Sequence, residues 1–172
     1  EYLHLISREN TRLSRLIENF LTFSRLEQNR YAFNPTDVRP LDVIDAASQA
    51  VRDRFQSPGC RLDIEAAPGL PMILGDHDAL VTAVVNLLDN AYKYSGEEKH
   101  IILRTFARDG QVCFQVQDNG IGISRTGSRN VFKRFYQVDQ SLSGISSGVG
   151  LGLSIIRAIV QAHHGTIGLD SE

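Results

Sequence analysis

Little in this sequence points to a covalently stapled, membrane-embedded or polyanion-gathering protein. Only two cysteines occur, Cys60 and Cys113. They lie far apart without metal-ligand spacing, which excludes a disulfide framework and a thiolate metal site and leaves two reduced packing residues in a cytoplasmic setting. No apolar run approaches the ~18–20 residues of a membrane span, and no signal-peptide pattern is present. Charge of one sign is also lacking. Eighteen basic side chains against twenty acidic ones give a formal net charge of −2, so no general field attracts nucleic acid or an anionic bilayer. Any polyanion must be held locally. What the 172 residues do contain is 42% apolar side chains, enough for one main domain and a small appendage.

The appendage comes first. Leu3, Ile6, Asn10, Leu13, Ile17, Phe20 and Ser24 alternate spacings of three and four, Leu16 and Phe23 widen the stripe, and arginines and glutamates fill the other faces, which predicts one long amphipathic helix. Nothing within its reach offers a partner of similar length. The stripe is expected to pack on a helix of another chain or of an upstream segment, the alternative being a helix laid on the globular core. Asn34-Pro35 and Arg39-Pro40 then break the pattern, dividing the chain into 1–33 and 34–172.

Within the larger part, Leu41 to Phe55 has helical periodicity, with Leu41, Ile44, Ala47 and Val51 on one side, and Ser57-Pro58-Gly59 ends it. Arg61 to Glu65 and Met72 to Leu74 are short strand candidates. Asp76 caps a helix from about His77 to Tyr94, whose apolar side is Leu80, Val84, Leu87, Leu88 and Ala91. His100 to Ala107 and Gln111 to Asp118 flank Asp109-Gly110, a strong hairpin signal. A helix from about Leu151 to Ala162 and a strand starting at Thr166 to Leu169 close the chain. Helices interleave with strands that meet through a hairpin, so an α+β fold with a mixed or antiparallel sheet and helices on one face is expected.

Polar clusters interrupt these elements at particular places. Asn86 and Asn90 are four apart and Lys93 three further on, so two amides and an ammonium share a narrow sector of one helix. An amide oxygen suits Mg²⁺ and a lysine suits a phosphate, although a plain solvated helix face has the same letters. The stretch "DNGIGI" from Asp118 to Ile123 ends a strand in a carboxylate. That carboxylate can accept from an exocyclic amine, as adenine presents, while Gly120 and Gly122 let backbone approach a flat ring. An Asx-Gly turn would look identical. Gly148, Gly150 and Gly152 lead into the last helix, where free N–H groups and the helix dipole favour a phosphate. The spacing is neither that of a dinucleotide fingerprint nor that of a P-loop. "VFKRFY" lies between the glycine clusters, with Phe132 and Phe135 expected on one side of a turn and Lys133 and Arg134 on the other.

Taken in order, Asn-x-x-x-Asn-Ala-x-Lys-Tyr, Asp-x-Gly-x-Gly, Phe-x-x-Phe and Gly-x-Gly-x-Gly resemble the catalytic and ATP-binding domain of sensor histidine kinases, in the GHKL ATPase superfamily. "RLSRLIENFLTFSRLEQNR" resembles the second helix of that family's dimerisation and histidine-phosphotransfer hairpin. The resemblance implies a two-layer α/β sandwich with a mixed, mostly antiparallel sheet. It implies Asn86, Asn90 and Lys93 as catalytic residues, with Asn90 and Asn86 on Mg²⁺, and Tyr94 near the adenine or ribose. Asp118 would bind the adenine amine, with Gly120, Gly122 and Ile123 shaping its pocket. Phe132 and Phe135 would anchor a lid from Tyr136 to Gly148, and Gly148, Val149, Gly150, Leu151 and Gly152 would close on the triphosphate. Implied partners are ATP, a phosphoacceptor helix outside this sequence, a response regulator receiver domain and a second copy joined through the N-terminal helix. Nucleic acid and direct membrane contact are not expected, and the domain is expected to be cytoplasmic.

The sequence departs from the family pattern in places. No acceptor string of histidine followed by an acidic residue occurs; His4 reads as a surface or seam histidine. His163 and His164 end the last helix, a position suited to a cationic imidazole. Ser124 to Asn130 is unusually polar, Gln137 stands where arginine is frequent, and the expected last strand is cut short at Glu172. GHKL hydrolases typically carry glutamate where this chain has Asn86, and an amide cannot act as a general base. A phosphotransferase is therefore favoured over a hydrolase, with a non-catalytic signalling module as the other alternative.

Overall fold

The computed structural model describes residues 32–128, 130–136 and 150–171, with the backbone alone at 125 and 126, and scattered positions between 2 and 25. Two sheets and four helices account for these residues. Strands β2 (Cys60–Ala66), β4 (Lys99–Arg108) and β5 (Gln111–Gln117) form a mixed sheet in the order β2-β4-β5, while β1 (Thr36–Val38) and β3 (Ile73–Gly75) pair separately. β2 runs parallel to β4 from Cys60↔Lys99 to Ala66↔Thr105, and β4 runs antiparallel to β5 from Ile102↔Gln117 to Arg108↔Gln111. At the hairpin tip Asp109 and Gly110 take φ of 52° and 75°, the paired left-handed conformation that a two-residue turn between twisted strands needs.

Alternation along β4 decides which face is covered. Ile101, Leu103 and Thr105 are buried under the helices. Asp63, Glu65, Arg104 and Gln117 lie on the other face, where Arg104 Nε donates to Glu65 and its Nη1 to Gln117. A sheet covered on one side is expected to read this way.

Helix α1 (Pro40–Phe55) begins at a proline, whose missing N–H costs nothing in a first turn. It buries Val43, Ile44, Ala47, Val51 and Phe55. Leu41, expected on that face, is 45% exposed, because Pro40 occupies the inward position one turn before Ile44. Helix α2 (His77–Tyr94) has the anticipated bounds and cap, Asp76 Oδ1 accepting from the Ala79 N–H at 2.9 Å. It carries two apolar faces. Leu80, Val84, Leu88 and Ala91 join α1, Ile101 and Leu103 in the main core, whereas Ala79, Ala83 and Leu87 pack on Ile155, Ile156 and Ile159 of the last helix, α4 (Gly152–Ala162). The alanines keep α4 close, and α2 is the shared wall.

Several elements differ from expectation. β1 lies where proline breaks suggested only a linker; three residues are too few for periodicity to show. β3 sits one residue later than anticipated, leaving Met72 outside and 52% exposed. A four-residue helix α3 (Arg125–Ser128) occupies the polar segment because Ser124 Oγ accepts from the Gly127 N–H at 3.1 Å and caps it. Thr166 to Leu169 joins no ladder among the described residues; Ile167 packs against the α2–α4 cluster instead, since alternating burial needs no strand partner. At the described N-terminal positions the backbone is helical, and Ile6, Leu13, Ile17 and Phe20 are all more than half exposed. Leu3, His4, Leu16 and Phe23 lie outside the described residues, as does the continuity of that helix. Among the described residues no helix is long and apolar enough to cross a membrane.

Candidate functional site

Three of the sequence clusters meet along α2. Asn86 is buried, and its Nδ2 donates to the Thr82 carbonyl one turn earlier at 2.9 Å. That bond turns Oδ1 toward the start of α4: a Cβ placed on Gly152 would stand 3.2 Å from Asn86 Oδ1 and 3.7 and 3.8 Å from the amide atoms of Asn90. Asn90 Nδ2 is buried with no hydrogen-bond partner among the described residues. A buried amide without a partner is costly, and natural proteins keep one chiefly where a ligand or ion completes it.

Opposite these amides, α4 begins without a side-chain cap, so its first N–H groups have no intrahelical partner. Gly150 has φ of +72°, and a Cβ there would meet the Tyr136 carbonyl oxygen at 2.8 Å. Its own carbonyl accepts from the Phe135 N–H at 3.1 Å, which joins the end of "VFKRFY" to the start of α4. The aromatic pair works differently from expectation. Phe135 is 60% exposed with φ of 57°, a left-handed turn that swings its side chain outward, and the buried residue of this segment is Val131. Phe132 is half-buried. Gln137, Gly148, Val149 and the segment between them lie outside the described residues.

The third cluster closes the C-terminal end of α2. Asp118 follows the last residue of β5, is exposed, and accepts from the Gly120 N–H through Oδ1 at 2.8 Å. The turn and the base-reading interpretation therefore coexist, because Oδ2 accepts nothing among the described residues. A Cβ on Gly120 would be 2.6 Å from both Asp118 Oδ1 and the Tyr94 carbonyl oxygen, and the Ile121 N–H reaches that same carbonyl at 3.3 Å. Glycine is obligatory there. Gly122 takes φ of +69° and the Ile123 N–H donates to Ser171 Oγ at 2.8 Å. Lys93 Nζ stands 3.1 Å from the Tyr94 hydroxyl and 4.7 Å from its ring centroid. Asn86 and Tyr94 are eight residues apart, about 12 Å along a helix, so one helix sets amides beside the start of α4 and, through the Tyr94 carbonyl, holds the carboxylate turn.

Shifted titrations lie on the scaffold around this site. Burial raises the Asp89 carboxyl against the opposing Arg54 guanidinium that bonds it. Hydrogen bonds from Arg61 and then His100 lower Asp63 on the open sheet face. Burial also raises the Cys60 thiol, as suits a packing residue. His163 ties the end of α4 to the start of α2: Nδ1 bonds the Ile159 carbonyl at 2.8 Å and Nε2 accepts from the Asp76 N–H at 2.9 Å. Sequence reasoning missed this tie, and it also missed Asn119, whose side chain bridges Glu98 and His100. Within "DNGIGI" roles were given to Asp118 and the glycines and none to Asn119.

Residues 75–172 match the family described as Histidine kinase-, DNA gyrase B-, and HSP90-like ATPase. The chain is 34% identical over 166 residues to the sensor-like histidine kinase SenX3 of Mycolicibacterium smegmatis, an alignment covering 95% of this chain and 42% of that one. It is 36% identical over 172 residues to the probable sensor histidine kinase TcrY of Mycobacterium tuberculosis, covering 98% and 35%. It thus spans well under half the length of these relatives. Among solved structures, full-length ShkA in complex with AMPPNP superimposes with a TM-score of 0.77 at 26% identity over 94% of this chain and 33% of that one. The mycobacterial sensor histidine kinase MprB does so at 0.63 and 30% identity, over 77% and 81%. The chain belongs to the histidine kinase-, DNA gyrase B- and HSP90-like ATPase family, of which residues 75–172 form the ATP-binding domain.

Proposed function

We propose that this chain is the ATP-binding catalytic part of a two-component sensor histidine kinase, transferring the γ-phosphoryl group of ATP to a histidine on a helical hairpin outside this sequence. The observation that carries the reading is the buried Nδ2 of Asn90, without a partner among the described residues, facing the uncapped N-terminus of α4. Amide oxygens and uncapped N–H groups together suit a polyphosphate and its cation. Asn86, with its Nδ2 committed to Thr82, presents an acceptor but no general base, which favours transfer over hydrolysis.

Magnesium fits this site as a companion of the nucleotide. Among the described residues no group of three His, Cys, Asp or Glu could hold a metal alone, and Asn86 and Asn90 supply the neutral oxygens that Mg²⁺ accepts beside phosphate oxygens and water. When bound it would neutralise charge developing on the transferred group. The chain's own residues do the rest. Asp118 holds the base through Oδ2, Gly120 lets the backbone lie against the ring, Lys93 leaves Tyr94 for a phosphate, and the first turn of α4 fixes the phosphates for in-line attack by an imidazole. Association through the apolar stripe at Leu13 and Ile17 brings two copies together, and a receiver domain takes the phosphoryl group onward. The histidine kinase ThkA, 19% identical, was solved in complex with the response regulator protein TrrA, and its likeness carries the fold.

The test mixes this chain, γ-labelled ATP and a separately produced acceptor hairpin. Acid-labile label should appear on the hairpin and not on this chain; label on the chain itself, or phosphate release without transfer, sinks the proposal. Sedimentation should show dimers that weaken when Leu13 and Ile17 become polar.

A further inference from the structure

We propose that Asn119 is a positioning residue for the base pocket, placing the Asp118 carboxylate by replacing backbone pairing with its own side chain; this rests on the ATP-binding reading above. The β4–β5 ladder ends at Ile102↔Gln117. Continued by two residues in the same register, it would set 119 opposite His100. The backbone leaves the sheet there, and the Asn119 side chain takes over the missing pairing: Oδ1 accepts from the His100 N–H at 2.9 Å and Nδ2 donates to the Glu98 carbonyl at 2.9 Å. An amide is the one side chain that offers a donor and an acceptor side by side, as a backbone peptide does.

This substitution frees the neighbouring peptides for the pocket. Released from β4, the Gly120 N–H turns back to Asp118 Oδ1 at 2.8 Å, and the Ile121 N–H reaches the Tyr94 carbonyl at 3.3 Å. Asp118 is thus clamped from both sides. Asn119 holds the chain to β4, Gly120 rests on α2, and Oδ2 accepts nothing among the described residues. Asn119 is itself exposed and contributes nothing to either apolar core, so its bonds serve the turn rather than the packing.

The experiment titrates adenosine, ATP and GTP into the unaltered protein and into Asn119→Asp, Asn119→Ser and Asp118→Ala, with thermal melts alongside. Asn119→Asp keeps the acceptor for His100 but sets an oxygen against the Glu98 carbonyl; Asn119→Ser is too short for either bond. Both should melt cooperatively and lose adenosine and ATP affinity by a common factor of about 10, the size of one hydrogen bond, with the preference for ATP over GTP reduced by a similar factor. A loss confined to ATP would place the effect on the phosphates and overturn the assignment. Unchanged affinity in a folded Asn119→Asp, while Asp118→Ala is weakened, would overturn it alone. Loss of the cooperative melt in both Asn119 variants would make the residue a folding requirement and also overturn it. Failure of the unaltered protein to bind ATP would instead sink the underlying reading.

Discussion

The two ends of α4 are built on opposite rules. At its C-terminal end the polar groups form a closed network: His163 takes the Asp76 N–H and bonds Ile159, Asp76 gives one carboxylate oxygen to Ala79 and the other to the Asn34 N–H, and Phe33 meets the imidazole edge-on at 5.6 Å between centroids. At its N-terminal end the first N–H groups have no side-chain cap, and Nδ2 of the facing Asn90 has no partner among the described residues. Both ends lie against α2, the first beside Asn86 and Asn90 and the second at its Asp76 cap. The difference teaches where the molecule spends its polar groups on itself and where it holds them for a ligand, since a closed network stabilises and an open one binds.

Breaking the open end should have the largest effect. Gly150→Ala forces a side chain into φ of +72° and 2.8 Å from the Tyr136 carbonyl oxygen. The left-handed backbone alone costs about 1–2 kcal/mol, and the clash displaces the turn that leads into α4. Calorimetry should show ATP binding reduced by about 3 kcal/mol or more. ATP binding within twofold of the original would show that this end is not the phosphate site.

The base side comes next. Asp118→Ala should cost about 2–3 kcal/mol of ATP affinity in a protein that still melts cooperatively, the scale of a hydrogen bond to a charged acceptor. GTP should bind the unaltered protein poorly, because guanine places a carbonyl oxygen where adenine has its amine. Lys93→Ala is the control, weakening ATP more than adenosine. Equal binding of ATP and GTP would reduce "DNGIGI" to a strand-ending turn.

The closed end should respond in stability and not in affinity. His163→Ala leaves the Asp76 N–H and the Ile159 carbonyl without their partner and should lower stability by about 1–2 kcal/mol, while folded protein keeps its ATP affinity. A large affinity loss with an unchanged melt would mean the two ends are not separable as argued.

The smallest effect lies away from both ends and serves as their reference. Hydrogen bonds from Arg61 and His100 hold the Asp63 carboxyl below its ordinary value on the exposed sheet face. A carboxyl depressed in the folded state contributes stability that is present above its unfolded pKa of about 3.9 and lost as pH falls through the folded value. The small stability difference between the unaltered protein and Asp63→Asn, followed by denaturant titration, should therefore be constant near neutrality and vanish on the acid side. Asp89 runs the other way, because burial raises it: its ionised form weighs against the fold as pH rises, and the Arg54 pair offsets part of that.

How much was legible depended on whether the signal was local. Asp76 before an apolar period marked the start of α2, and Asp109-Gly110 marked the hairpin, because capping and positive φ are properties of single positions. Leu41 was placed on the wrong face because periodicity does not say which of two candidates one turn before Ile44 turns inward. Phe135 was expected beside Phe132 on one side of a turn, yet its left-handed backbone leaves it 60% exposed while Phe132 is half-buried. β1 was invisible, since its partner β3 lies 35 residues away and three residues cannot show alternation.

The chemistry proposed for the site came from the sequence alone. Amides spaced to share a helix face, a carboxylate before two glycines and glycines before a helix are local patterns with local physical causes. Which of those groups are left unpaired was decided only in three dimensions. Asn86 commits its Nδ2 to the Thr82 carbonyl one turn earlier, whereas Asn90 Nδ2 finds no partner among the described residues, although both side chains face the start of α4. Asn119 became a clamp because the ladder to β4 ends two residues before it. His163 became an acceptor because folding brought it to an N–H 87 residues away. A residue's hydrogen-bonding capacity is written in its own side chain, but whether that capacity is used depends on long-range packing.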